Sequence, residues 1–433
     1  MTSLRTHYVK DITPSINDTE VYLAGWVHEV RDMGKLKFIQ LRDRTGIVQI
    51  TGKKGIVPDE VLKKMALVKE SVVRVRGRVK AEPKAKLGFE IIPIEITDLN
   101  PISAMVPFEV TGKVPAEMDV RLDNRYIDLR RLETTAIFQI QHEVLRAFRE
   151  KLLELGFQEI RPPCIAAAAT EGGTEIFKIQ YFEKEAFLVQ SPQLYKQLAV
   201  IGGMDRVFMT VPVFRAEKHN TTTHLNEVLQ MDIEMGFGDH NDAMDVLEKT
   251  VLNIISGVKK NCSEALKTLG VDLNVPEKVP RYTYDECVER LKGAGVPMEW
   301  GADFTKEQEK KLVELVPEEL FFITEWPTKV RAFYSMPNEE RPEVCNAFDL
   351  MYKGLEISSG AQRIHKPDLL VEALKSRGLN PENFEFYIRA FRLGAPPHAG
   401  WSIGLERITM KLAGVENIRE ACLFPRDRTR LTP

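Results

Sequence analysis

The chain has 433 residues, of which 43% are hydrophobic and 28% charged, and its net charge is −3. It is too long for one hydrophobic core and too ordinary in composition for a fibrous, disordered or disulfide-built protein. No apolar run reaches bilayer length, and the first residues, MTSLRTHYVK, lack a signal peptide's apolar core, so a cytoplasmic protein is expected.

The five cysteines (Cys164, Cys262, Cys287, Cys345 and Cys422) are widely spaced, and no CxxC pair occurs. Reduced, buried thiols are expected rather than a zinc site or a disulfide framework. Residues 1–100 hold 18 Lys and Arg against 13 Asp and Glu, whereas the remainder is acidic. A basic N-terminal module on an acidic body suits contact with phosphates, although a solvated basic face reads equally well on charge alone.

In chain order, VYLAGWVHEV (21–30), KFIQLRD (37–43), GIVQIT (46–51), SVVRVRGRV (71–79) and GFEIIPIEI (88–96) read as strands. Turn residues separate them, and a helical stretch (59–69) lies between the third and fourth. Five short strands with one helix fit a closed all-β barrel of the OB-fold kind. Residues 100–125, with Pro101, Pro107, Gly112 and Pro115, read as an extended linker. Residues 134–155 then place Ile137, Ile140, Val144, Leu145, Phe148, Leu152 and Leu155 at helical spacing, closed by Gly156. FQEIRPPCI reads as a strand broken by Pro162 and Pro163.

AFLVQS, RVFMTVPVF and VLQMDIEMGF read as further strands, 241–268 as helical, and 281–345 as a mixed stretch. NAFDLMYKGLEISSG, a helix at 381–392 and GWSIGLERITMKL complete the chain. This part reads as an α+β domain built on an antiparallel sheet. The organisation expected is a barrel domain over 1–104, a linker or hinge over 105–132 and a large domain over 133–433, with an insertion near 238–345.

Three strings carry chemistry. In VPVFRAEKHNTTTHLNEVLQMDIEM (211–235), a strand ends in Phe214-Arg215-Ala216-Glu217 and a second returns through His224-Leu225-Asn226-Glu227. A planar, permanently charged guanidinium at such a hairpin suits a phosphoryl group that gains charge during displacement. Alone, Arg215 is more often an ordinary ion-pair residue. In GWSIGLERITMKL, Gly400 and Gly404 let a nucleotide approach the backbone ahead of Glu406 and Arg407, though helix-start glycines explain the string as well. In GLEISSGAQR (354–363), Glu356 and Ser359 offer hard oxygen ligands for Mg²⁺ carried on phosphates, with Arg363 four residues on.

Taken in order, the helix with its proline-broken strand, the hairpin arginine and the glycine-Glu-Arg helix resemble motifs 1, 2 and 3 of the class II aminoacyl-tRNA synthetases. ATEGGTEIF (169–177), QSPQLYKQ (190–197), FRAEKHNTTTHLNE (214–227), GLEISSGAQR, PPHAGWSIGLER (396–407) and the tail LFPRDRTRLTP narrow this to the aspartate-specific subclass IIb enzymes of archaeal and eukaryotic type. The resemblance spans the whole chain.

It implies an ATP-dependent aspartate–tRNA ligase using Mg²⁺, acting as a homodimer. Arg215, Arg407 and Glu356 become the catalytic residues. Glu171, Gln193, Lys196, Arg215, Ser359 and Arg363 bind aspartate, and Glu356 and Ser359 hold the metal. Arg215, Glu217, Thr223, His224, Leu225, Glu356, Gly404, Leu405, Glu406 and Arg407 bind ATP, with Phe214 packed on the adenine. The physics of selectivity stands apart from the resemblance. A site for a side-chain carboxylate needs fixed cations, and Lys196 and Arg363 are the ones available.

In the barrel, His28, Arg31, Phe38, Gln49, Lys86 and Glu90 are implied anticodon contacts, with Phe38 stacking a base. Family members that discriminate between tRNA-Asp and tRNA-Asn carry tryptophan where this chain has His28, whereas Lys86 matches the discriminating pattern. The reading leans toward recognition of both tRNAs. Rival readings are an asparaginyl- or lysyl-tRNA synthetase, a barrel-less asparagine synthetase, and a catalytically inactive tRNA-binding paralogue. Lys196 with Arg363 speaks against the two tRNA synthetases, the barrel against the asparagine synthetase, and the retained Arg215, Arg407 and Glu356 against the paralogue.

Overall fold

A computed structural model of the chain describes residues 4–167, 175–219 and 221–433. The backbone divides into two compact units, Met1–Thr135 and Ala136–Thr432.

In the first unit, strands β1 (Glu20–Asp32), β2 (Leu36–Asp43), β3 (Gly46–Lys53), β4 (Val72–Ala81) and β5 (Phe89–Asn100) close a barrel in the order β1-β2-β3-β5-β4. Period-two alternation sends Val21, Leu23, Val27, Ile39, Leu41, Val48, Ile50, Val73, Val75 and Val79 inward, where they are fully buried. Helix α1 (Asp59–Lys64) is shorter than the 59–69 expected. Its continuation is diverted because Met65 turns onto the bare backbone of Gly52, where a Cβ would lie 2.3 Å from the methionine sulfur. The expected linker contains α2 (Met118–Asp123), followed by α3 (Arg125–Asp128).

Next in the chain come α4 (Leu132–Glu154), β6 (Gln158–Glu159), β7 (Ile165–Ala166), β8 (Lys178–Tyr181), β9 (Lys184–Leu188), α5 (Gln193–Ala199), β10 (Arg206–Phe214) and β11 (Glu227–Gly236). They are followed by α6 (His240–Asn261), α7 (Ser263–Leu269), β12 (Arg281–Thr283), α8 (Tyr284–Gly293), α9 (Lys306–Leu315) and β13 (Leu320–Thr324). The chain ends through β14 (Ala347–Tyr352), β15 (Leu355–Gln362), α10 (Pro367–Ser376), α11 (Glu385–Arg392), β16 (His398–Gly404) and α12 (Leu405–Ala413).

Eight of these strands form one sheet in the order β12-β13-β14-β15-β16-β11-β10-β6. The antiparallel expectation holds for the six central strands. The two edge strands differ, since β12 pairs parallel with β13 and β6 parallel with β10. Strand β6 is only two residues long because Pro162 and Pro163 follow and cannot donate to a ladder. In the mixed stretch, α8 and α9 each start on a capping box, Thr283 with Glu286 and Thr305 with Gln308.

One face of the sheet is apolar. Phe208, Met231, Ile233, Trp401 and Ile403 pack with Ile137, Val144 and Phe148 of α4, Leu247 and Ile254 of α6, and Ile408 and Leu412 of α12. The Phe148 ring meets Phe208 and Trp401 edge-on, at 5.7 and 6.3 Å between centroids. The other face of the same strands carries Asp232, Glu234 and Ser402, and the site is built there.

The barrel closes through a tight contact at Gly25, where an added Cβ would lie 2.1 Å from the Arg42 carbonyl oxygen. Gly25→Ala is expected to force β1 from β2 and to destabilise the barrel by about 1–3 kcal/mol. Hydrogen exchange at the β1–β2 amides of the full-length chain measures this. Unchanged protection there would show that the strands absorb the methyl group.

Candidate functional site

Strand parity decides which side chains meet. Residues 207, 209, 211 and 213 of β10 share a face with Val228, Gln230, Asp232 and Glu234 of β11 and with Ser402 and Gly404 of β16. Arg215 continues that row. A cavity of about 300 Å³ opens on this face, lined among others by Arg215, Glu217, Thr223, His224, Glu356, Ser359, Gly404, Glu406 and Arg407. The structure thus brings together the hairpin arginine, the helix-start arginine and the Glu356-Ser359 pair. Leu225 lines the cavity but is otherwise core, and Leu405 is buried among the apolar residues of α12, so its backbone alone remains for a ligand.

Phe214 departs from expectation. Adjacent strand residues point to opposite faces, so a neighbour of Arg215 cannot share its side. Phe214 instead lines a separate cavity with Phe177, Leu188 and Arg426, which removes it as a packing partner for a base held beside Arg215.

Glu356 and Ser359 are three residues apart, a spacing that regular alternation would place on opposite faces. A β-bulge corrects this. Leu350 pairs with Ser358 and Met351 with Glu356, which leaves Ile357 as an extra residue in β15. Beyond the bulge Glu356 shares a face with Ser359 and with its cross-strand partner Asp349. Asp349 is buried and ion-paired to Arg331 at 2.5 Å. Burial pushes its carboxyl up to about 7, and the charge of Glu356 adds to the effect against the pull of Arg331.

His224 is held as a neutral base. Arg407 donates from Nη2 to Nε2 at 3.1 Å, so the ring proton sits on Nδ1, facing the hydroxyls of Thr221 and Thr223 at 2.8 and 3.1 Å. Burial, then Arg407, Lys306 and Arg215, depress its pKa to about 4. Arg407 also donates from Nη1 to the Glu356 carbonyl oxygen at 3.1 Å. Burial raises the Glu217 pKa. Glu406 is 6% exposed, accepts from the Leu229 amide at 3.1 Å and is pushed up to about 7 by burial.

Ser402 connects this cavity to a buried group of charges. It lines the cavity and donates to Asp232 Oδ2 at 3.0 Å. Asp232 Oδ1 accepts from Lys196 Nζ at 2.6 Å, and Lys196 also reaches Glu234 at 3.5 Å. Glu234 accepts from Arg363 Nε at 2.9 Å and Nη2 at 3.3 Å. All four side chains are at most 4% exposed. Lys196 and Arg363 therefore do lie together beside the cavity, but neither waits unpaired.

Burial raises the Asp232 carboxyl, against the opposing pull of Lys196 and the Ser402 hydrogen bond. Burial also works against ionised Glu234, but Arg363 and Lys196 together outweigh it and hold that carboxyl low. Gln193 is buried nearby and donates to Gln197 Oε1 at 3.0 Å. Gln197 Oε1 also accepts from Tyr387, and its amide donates to His398. Sequence reasoning passed over Asp232 and Glu234, although two acids at i and i+2 inside the apolar strand VLQMDIEMGF were the available signal. Glu171 lies outside the described residues.

On the barrel, Arg31 pairs across from Phe38, and Phe38 across from Thr51, on the outer face. Gln49, Thr51, Glu90 and Lys80 form one network on that face. Thr51 donates to Glu90 at 2.6 Å, Gln49 to Glu90 at 3.4 Å and Lys80 to Glu90 at 3.0 Å. Lys86 is exposed in the connection between β4 and β5. His28 is the extra residue of a β-bulge, since Val27 pairs with Leu41 and Glu29 with Gln40. It is half-buried against Arg42, which donates to His28 Nδ1 at 2.8 Å and is itself paired with buried Glu70 at 2.7 Å. Burial and the Arg42 charge lower the His28 pKa, so the ring is neutral with its proton on Nε2.

Residues 117–428 match the family of class II tRNA synthetases (D, K and N), and residues 21–99 match the OB-fold nucleic acid binding domain. A Methanocaldococcus jannaschii protein named aspartate–tRNA(Asp/Asn) ligase is 52% identical over 431 residues, spanning 99% of this chain and 98% of that protein. A Pyrococcus abyssi protein named aspartate–tRNA(Asp) ligase is 51% identical, spanning 99% and 100%. Among solved structures, the asparaginyl-tRNA synthetase of Pyrococcus horikoshii complexed with asparaginyl-adenylate superposes with a TM-score of 0.94 at 34% identity, covering 99% of both chains.

Glu406 gives the site a measurable pH dependence. Its folded pKa of about 7 lies above the roughly 4.3 of an unfolded glutamate. Its contribution to stability is therefore complete below about pH 4 and is lost as pH rises through about 7. Glu406→Gln keeps an acceptor for the Leu229 amide. It is expected to flatten the decline of the thermal midpoint between pH 5 and 8 and to be the more stable protein at pH 8. Parallel slopes for the two proteins would mean that Glu406 ionises freely in the fold.

Proposed function

The chain belongs to the class II tRNA synthetases (D, K and N), and from that premise we propose that it activates L-aspartate with ATP and joins it to the 3′ end of tRNA-Asp and tRNA-Asn. The observation that carries this is the junction at Ser402, where a cavity holding Arg215, His224, Glu356 and Arg407 adjoins the buried group of Lys196, Asp232, Glu234 and Arg363.

No general base is needed for the first step, because the aspartate α-carboxylate is already the nucleophile toward the α-phosphorus. The chain's work is positioning and charge stabilisation. Arg215 meets the α-phosphate, Arg407 the far phosphate, and neutral His224 fixes the Arg407 guanidinium. Glu217 places the adenine, with the backbones of Gly404 and Leu405 and of Thr223 to Leu225 around the nucleotide. Glu406 acts through the Leu229 amide.

The donors on one face of β14 and β15 fit Mg²⁺. Two carboxylates, Glu356 and Asp349, stand with the Ser359 hydroxyl, which leaves the remaining positions to phosphate oxygens and water. Beside Arg215 and Arg407 the cavity also carries Glu356 and Glu217, so a cation there would help to hold a polyphosphate. Mg²⁺ bound there would neutralise phosphate charge.

For the amino acid, Arg363 Nη1 receives the side-chain carboxylate and Lys196 adds its charge from behind Asp232. Asp232 joins Glu171 as a partner for the α-ammonium, and Gln193 closes the wall. We take residues 1–104 as the anticodon-binding domain, 105–132 as the connection and 133–433 as the catalytic domain with its insertion at 238–345. Arg31, Phe38, Gln49, Lys86 and Glu90 face the anticodon, and His28 offers one N–H donor. A donor aimed at O2 accepts cytosine and uracil alike, since both carry that oxygen, which favours reading both tRNAs. We place the enzyme in the cytoplasm as a homodimer, with the edge strand β6 and exposed Leu153 of α4 at the two-fold.

ATP–diphosphate exchange tests the reading. Exchange is expected with aspartate and not with asparagine, and Arg215→Ala should lower it by about 100- to 1000-fold. Exchange with asparagine instead would move the chain to the rival specificity. Transcripts of tRNA-Asp and tRNA-Asn should be charged at comparable rates, and a strong preference for tRNA-Asp would remove the second tRNA from the proposal.

A further inference from the structure

A second cavity of about 500 Å³ adjoins the nucleotide site. Lys306, Lys310, Lys353 and Lys411 line it against Glu309 and Glu416. Three separate elements supply these lysines. Lys306 and Lys310 stand one turn apart on α9, Lys353 occupies the turn between β14 and β15, and Lys411 is on α12. Thr223 lines both cavities. Its hydroxyl accepts from Lys306 Nζ at 3.0 Å and meets His224 Nδ1 at 3.1 Å, while His224 takes its other hydrogen bond from Arg407. A continuous polar path thus runs from the residue assigned to the far phosphate of ATP into the lysine cavity.

The arrangement is unfavourable unless an anion enters. Lysines at i and i+4 repel, and Lys306 stands in the first helical turn, where the macrodipole disfavours a cation. Lys353 adopts a left-handed backbone (φ 47°) and meets its one carboxylate partner, Glu319, only at 4.0 Å. Among the described residues, Lys306, Lys310 and Lys411 have no ion-pair partner within that distance. Burial and the charges of Lys310 and Lys353 depress the Lys411 pKa. Glu309, pushed up to about 7 chiefly by burial, offers only part of a compensating charge.

We infer that the lysine cavity is the exit and entry site for the inorganic diphosphate formed with the adenylate. In that step the aspartate carboxylate oxygen bonds to the α-phosphorus. The bond from the α-phosphorus to the bridging oxygen breaks, and the diphosphate leaves with that electron pair, so no proton is consumed. The leaving group carries several negative charges, departs from the Arg407 end of the site and meets four lysines immediately beyond Thr223. The inference rests on the aspartate-activating reading given above.

The test uses the full-length enzyme and inorganic diphosphate. Lys310→Ala, Lys353→Ala and their combination are compared with Lys310→Arg. The double variant is expected to raise the KM for diphosphate in ATP synthesis from the enzyme-bound adenylate by about tenfold or more. The KM values for aspartate and for ATP should stay within about twofold in the forward direction, and Lys310→Arg should restore diphosphate binding. An unchanged diphosphate KM overturns the inference, as does an equal rise in the KM for ATP. A rise confined to the KM for tRNA also overturns it, by assigning the cavity to an RNA phosphate. Wild-type enzyme that shows no aspartate-dependent exchange would overturn the functional reading itself. Wild-type exchange alongside indifferent variants removes only the diphosphate site.

Discussion

Charge buried in this sheet survives only in company. Lys196, Asp232, Glu234 and Arg363 are each nearly inaccessible, and any one of them alone would carry a desolvation penalty of several kcal/mol. Together they form two cation–carboxylate pairs joined by the Lys196–Glu234 approach. The group therefore fixes more than a pocket. It ties α5, which brings Lys196, and the end of β15, which brings Arg363, to adjacent outward positions of β11. Gly400 on β16 belongs to the same constraint, because a Cβ there would lie 2.3 Å from Glu234 Oε2. The network of Gln193, Gln197, Tyr387 and His398 extends the polarity of this group without adding net charge.

Two bulges, one in each unit, do the fine placement. In β15 a single inserted residue, Ile357, turns Glu356 onto the face of Ser359 and Asp349 and so assembles a hard-oxygen set that regular pairing would scatter. In β1 the inserted residue is His28 itself. Its displacement toward Arg42 fixes the tautomer, because a guanidinium can only donate and Nδ1 must then accept. In both cases the backbone irregularity sits where recognition chemistry is proposed, and the regular strands around it supply rigidity.

The barrel was legible because its strands are half-buried and alternate, so Val73, Val75 and Val79 against Arg74, Arg76 and Arg78 state the answer directly. Strands β10, β11 and β14 were legible as apolar runs. Helices α8 and α9 were not assigned, although their capping boxes were present: α9 buries only Leu312 and carries little periodic apolar signal, whereas in α8 the helical spacing of Tyr284, Cys287, Val288 and Leu291 was available and passed over. The residues of the hairpin and helix-start motifs converge on one cavity. What motif reading lacks is parity. Phe214 sits beside Arg215 in the string but across the sheet from it in space. Motif reading also attends to residues in recognisable strings, and so it passed over Asp232, Glu234 and Asp349, which reside in strands that look like core.

The balanced charge group changes how selection of aspartate must work. Two unpaired buried cations would attract a carboxylate strongly, yet the empty site would be prohibitively unstable. With Asp232 and Glu234 in place, that cost is absent and the excess attraction goes with it. Discrimination then rests on which atoms remain uncommitted. Arg363 commits Nε and Nη2 to Glu234, which leaves Nη1 as a donor. Both Glu234 oxygens already accept from Arg363, and Asp232 accepts from Lys196 and Ser402. A carboxylate can use a free donor, whereas the amide nitrogen of asparagine would bring its hydrogens against Nη1, which is itself a donor. An unmet buried donor costs about 1–3 kcal/mol, and displacing Arg363 from Glu234 to meet it would cost more. On the proposed assignment, rejection of asparagine is a clash of donors at Arg363 Nη1, whose orientation the pair with Glu234 fixes.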